Sequence, residues 1–140
     1  MSDRGVLKVD KGYFETKDDV VRDMLKTGFW PTTHISLTSP ELPVHWHDGD
    51  IIGYVMSGST YILDGDSNKI QLEAGDRLVI PEGALHAEGE VTETVTYIVT
   101  LGRCEPYMNA LRMLDPETYP TPDMLALDPE LVTKLMSSVA

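Results

Sequence analysis

The chain is poor in the residues that would commit it to several large classes of function. It has a single cysteine, Cys104, so no disulfide can form within the chain and a reducing compartment is the expected setting. Basic residues are scarce: 11 Lys and Arg stand against 23 Asp and Glu, a formal charge of −12. Binding to nucleic acid or to an anionic membrane surface needs the opposite sign, so neither partner is expected. No apolar run approaches the length of a membrane span. The opening residues, MSDRGVLKVDKGY, hold no basic stretch followed by an apolar one. No signal peptide is read there, and the expected location is cytoplasmic.

What the chain does contain is an ordinary globular balance, 41% hydrophobic and 24% charged over 140 residues, enough for one domain with a core. The character changes twice along it. Residues 1–30 read as an N-terminal extension with a short extended piece and one helix from Lys17 to Thr27. Thr16 and Asp19 form a capping box, Gly28 supplies the stop, and Val20, Val21, Met24 and Leu25 make an apolar stripe. Residues 31–102 are short runs rich in Val, Ile, Thr and Tyr (THISLT, VHW, IIGYVM, TYIL, KIQLE, RLVI and ETVTYIVTL), divided by turn residues. They indicate an antiparallel sandwich or barrel. Residues 103–140 form a proline-broken tail closed by a helix that starts at Asp128-Pro129-Glu130 and runs to about Ser137. Both ends are expected to cover sheet edges or to build a dimer contact.

The acid is concentrated in the middle. Residues 31–102 carry two basic and eleven acidic side chains, a net of −9, while residues 1–30 cancel. This same segment holds three of the four histidines, His45, His47 and His86. On a strand, residues two apart share a face, so His45 and His47 can aim two imidazoles at one point. A third from a neighbouring strand would complete a set suited to a divalent transition metal.

The frame around these histidines resembles the cupin family. Its second motif, G-x5-P-x-G-x2-H-x3-N, is met at Gly75, Pro81, Gly83 and His86; its first, G-x5-H-x-H-x(3,4)-E-x6-G, is met at His45, His47 and Gly58. Ser39 replaces the opening glycine, Glu90 the closing asparagine, and Ile51 the glutamate ligand. The resemblance implies an all-β fold, an antiparallel jelly-roll barrel, with the short helix before it and the helical tail after it. It also implies a metal held by His45, His47 and His86 without a carboxylate. Asp50 is adjacent to the missing glutamate and becomes an extra ligand only if a bulge turns it inward. The family register places Ile51, Gly53 and Val55 inward. Trp46, Tyr54 and Met56 then face outward, as in a sheet-to-sheet or dimer contact.

On the last long strand Val95, Tyr97, Val99 and Leu101 are expected inside, which brings the Tyr97 hydroxyl into the pocket beside Val99 as a candidate proton donor. His34 is read as a surface residue opposite Ile35 and Leu37, and Glu88 and Glu90, which share the parity of His86, as a solvated rim. Cys104 is read as a small buried residue. No arginine or lysine of the barrel clamps an anion, and a carboxylate clamp would need Arg4, Arg103 or Arg112 from the ends.

These features, with the resemblance, imply a metal-dependent enzyme acting on a small oxygenated or thiol-type molecule. A three-histidine dioxygenase is favoured, with a lyase or isomerase as the other chemistry. Iron is preferred over zinc, nickel, manganese or copper, and a homodimer is expected. The alternatives are a non-catalytic sensor or ligand-binding cupin and a metal-free structural one.

Overall fold

The computed structural model describes residues 4–137. Its elements run β1 (Lys8–Asp10), α1 (Lys17–Thr27), β2 (Trp30–Ser36), β3 (Ile51–Ser57), β4 (Ser59–Leu63), β5 (Lys69–Glu73), β6 (Arg77–Ile80), β7 (Ala87–Glu88), β8 (Val95–Leu101), α2 (Tyr107–Ala110) and α3 (Pro129–Ser137). Every strand pairing is antiparallel. Five strands form one sheet in the order β1-β6-β3-β8-β2, and three form a second in the order β5-β4-β7.

The space between the sheets is filled by alternating side chains: Ile51 and Val55 of β3, Leu78 and Ile80 of β6, Val95, Val99 and Leu101 of β8, with Ile62 and Leu72 opposite. The inward register expected for Ile51, Val55 and Val99 is the one observed. β3 is buried on its other face too, which its unbroken apolar run IIGYVM requires. There Ile52 and Tyr54 pack with Phe14 and Val20 beneath α1.

That outer face is covered from within the chain. The expected capping box of α1 is present, and Gly28 ends the helix at φ 73°. Its stripe is narrower than expected, because Leu25 is 80% exposed and Val21 also faces solvent, whereas Asp23 turns to the sheet. The Asp23 carboxylate accepts from Tyr54 Oη at 2.5 Å, Tyr13 Oη at 2.7 Å and Arg77 Nη1 at 2.9 Å. Arg77 also donates to Asp10 and lies over the Tyr13 ring.

Trp46 is enclosed at the opposite end. Leu114 bridges its backbone, its indole N–H donates to Asp115 O at 2.9 Å, and Tyr119 meets it edge-on. The apolar outer positions Trp46 and Tyr54 are thus met by the two terminal segments of the same chain rather than by another sheet. Two further expectations are corrected. VHW is no strand, since His45 and Trp46 make only isolated bridges, and Cys104 is exposed. Backbone partners in loops replace a ladder for the first; the second lies past the last strand, where no layer covers it. The helix expected at Pro129 is present.

Asp76 closes the turn between β5 and β6. It is buried and accepts from Gly12 N and Glu73 N, each at 2.9 Å, and from Lys11. Burial acts to raise the carboxyl pKa of Asp76 and of Asp23, yet these hydrogen bonds and cations outweigh it and hold both below the ordinary value. The stability they supply is therefore complete above about pH 4 and lost as pH falls through their lowered folded-state values. Thermal melts between pH 7 and 2.5 should show this loss, and Asp76→Asn should flatten it. Asp76→Ala at pH 7 should cost about 3 kcal/mol, because it leaves two backbone N–H groups without their acceptor and removes the buried carboxylate that pairs with Lys11.

Candidate metal centre

His45 and His86 are brought together by the backbone. Each donates its N–H to the other's carbonyl, at 2.9 and 3.0 Å, an isolated antiparallel bridge between two loops. His47 is tied to the same place by Gly83 N, which donates to His47 O at 3.1 Å. Gly83 lies at φ 83°, and a Cβ there would stand 2.6 Å from the Tyr119 ring, so this turn admits no side chain. Pro81-Glu82-Gly83 is thereby the piece that sets the spacing between His47 and His86.

All three imidazoles are buried, with ring centroids 4.5–5.0 Å apart. Each Nδ1 bonds a backbone carbonyl: His45 to Pro43 O at 2.7 Å, His47 to Arg112 O at 2.9 Å and His86 to Ala84 O at 3.0 Å. A carbonyl can only accept, so the ring proton is on Nδ1 and the Nε2 lone pair is left for another partner. This arrangement orients metal-binding histidines.

Glu88 completes the cluster, its carboxylate 3.1 Å from His45 Nε2 and 3.5 Å from His86 Nε2. One ligand atom from each of His45, His47, His86 and Glu88 lies within 4.8 Å of the others. His86 Nε2 and Glu88 Oε2 are buried without a hydrogen-bond partner among the described residues. Converging donor atoms of this kind suit a cation between them, so the donor set fits a divalent metal and the cluster can hold one.

Burial opposes a charged His45, but Glu88 outweighs it and raises the His45 pKa. Burial likewise opposes the Glu88 carboxylate, and the two histidines nonetheless hold it well below the usual range. His47, pressed by burial and by its two neighbours, is lowered to about 3 and stays neutral, ready to ligate.

Residues 37–101 match the model of the cupin domain. This stretch is a cupin domain. Among solved structures, a DUF861 family protein from Thermotoga maritima is similar over 68% of this chain and 98% of that one, with 22% identity and a TM-score of 0.51. A salicylate 1,2-dioxygenase from Pseudaminobacter salicylatoxidans shares 15% identity over 51% of this chain and 20% of its own, at 0.45. A DMSP lyase from Ruegeria pomeroyi shares 19% over 54% of this chain and 39% of its own, at 0.46. No curated protein matches the sequence.

The cupin domain brings together His45, His47 and His86 as expected and adds a carboxylate to them. Glu88, read from sequence as rim, joins the cluster from β7, two residues past His86 and on its face. Shared parity was the available signal; the motif pointed to position 51 instead. Asp50 is no ligand: it is exposed, and its Oδ1 accepts from Glu82 N at 2.8 Å, bracing the Pro81 turn.

The cluster opens on a cavity of about 510 Å³ lined by Ile51, Gly53, Tyr97 and Val99, as expected, along with apolar side chains of both sheets. Val55 belongs to the inner core, fully buried among apolar side chains, but not to the cavity wall. His34 is half-buried and lines the cavity, while Ile35 is 56% exposed, the reverse of the expected face. Its pairing with Tyr97 across β2 and β8 decides this, since paired residues share a side.

Untagged protein should carry about one equivalent of divalent metal, and His47→Ala or His86→Ala should reduce this to a small fraction. Glu88→Gln should weaken affinity about 10- to 100-fold. Asp50→Asn should leave it unchanged. Metal analysis with chelator competition measures all four.

Proposed function

We propose that this cupin is a metal-dependent enzyme acting on a small oxygenated or thiol-type molecule. Three imidazoles with their Nε2 atoms freed by backbone acceptors, grouped with a carboxylate at the end of an apolar cavity, carry this reading. His45, His47, His86 and Glu88 would hold the metal. Iron is favoured, because a mixed nitrogen and oxygen set with room for further ligands suits it. Such an ion supplies Lewis acidity toward a carbonyl or enol oxygen and, for iron, chemistry with dioxygen.

The chain's own residues supply the rest. The apolar walls exclude water from a bound molecule, which strengthens each polar contact within. Burial raises the Tyr97 pKa far above its ordinary value, and the charge of Glu88 adds to this, so the phenol keeps its proton and can donate a hydrogen bond to a bound molecule.

Oxygen uptake on the iron-loaded protein with small thiols and diketones tests the oxygenase form. Turnover that falls about 10- to 100-fold in Tyr97→Phe at unchanged metal content is the expected result. Full metal occupancy with no uptake, but turnover of an enolisable substrate, would favour the lyase or isomerase form.

A further inference from the structure

One wall of the cavity restricts what the proposed enzyme takes, and the inference drawn here rests on that reading. Tyr107, from α2 beyond the cupin domain, contacts His34 Nδ1 with its hydroxyl. The His34 ring lies 5.8 Å from Tyr107 and 5.9 Å from Tyr97, so three polar rings meet on one wall. Burial lowers the His34 pKa and raises that of Tyr107, so both are neutral. Whichever of the two donates in this bond, the pair presents a polar group to the cavity.

No lysine or arginine lines the cavity among the described residues, and Glu88 is its one carboxylate. The arginines of the terminal segments are engaged elsewhere. Arg4 donates to Gly83 O and Pro116 O, Arg103 pairs with Glu105, and Arg112 Nε donates to Asn109 O. A charge on the ligand away from the metal centre would therefore be stripped of water with no counter-ion.

We propose that the ligand carries at most one charged group, held at the metal centre, on an apolar body whose one further hydrogen-bonding group meets the His34–Tyr107 pair. Dicarboxylates, phosphorylated sugars and free polyols are excluded, and Tyr107 is a specificity residue supplied by the tail.

Benzohydroxamate and its 3-hydroxy, 4-hydroxy and 4-carboxy derivatives test this by calorimetric titration of the full-length protein, with metal content measured in parallel. The carboxy compound should bind at least about tenfold more weakly than the parent. One of the hydroxy compounds should bind about fivefold more tightly, and Tyr107→Phe or His34→Leu should abolish that gain while leaving the parent within about twofold. A carboxy compound as tight as the parent overturns the proposal, as does a hydroxyl gain that is absent or that survives both substitutions. Those results in metal-replete protein leave the metal reading standing. Protein without metal that binds none of the four compounds overturns both.

Discussion

Three imidazole N–H groups bonded to three backbone carbonyls are the constraint on which the rest of this molecule depends. The carbonyls belong to Pro43, Ala84 and Arg112, in three separate segments of the chain. Were any of them displaced, the ring proton could move to Nε2 and that lone pair would be lost to the cluster. The loop before β3, the turn at Gly83 and the tail after β8 therefore have to be held in one relation. The His45–His86 bridge, the Gly83–His47 hydrogen bond and the anchoring of Trp46 by Leu114 and Asp115 hold them there.

This gives both terminal segments a part in the site. α1 and the Asp23–Arg77–Tyr54 network cover the outer face of β3, which lets its inner face carry one wall of the cavity. The tail contributes more directly. One of its carbonyls orients His47, and Tyr107, Met108, Leu111 and Met113 line the cavity from outside the cupin domain.

Most of the fold was legible in the sequence, because most of it is decided by local chemistry. The helix at Lys17 is announced by its cap and its stop glycine, and the longer strands by runs of Val, Ile, Thr and Tyr between turns; β1 and β7, at three and two residues, are too short for such a run to show. Three of the four cluster residues were legible because histidines at fixed spacing are conspicuous. Glu88 was not, since acid at a rim is the ordinary case and only its parity set it apart. His34 was misplaced because apolar Ile35 and Leu37 face out at the edge strand β2, against the usual sense of alternation. The role of Arg112 could not be read at all, as it acts through a backbone carbonyl that every residue possesses. The −9 of the middle segment gains meaning from one of its members, the carboxylate placed among three imidazoles.

X-ray absorption at the metal edge of the loaded, untagged protein tests the central claim most directly. The account predicts scattering from three imidazoles and one carboxylate oxygen, with the oxygen shell changed and the imidazole count kept in Glu88→Gln. A first shell with one imidazole or none, or one unaltered by His47→Ala and His86→Ala, would contradict it.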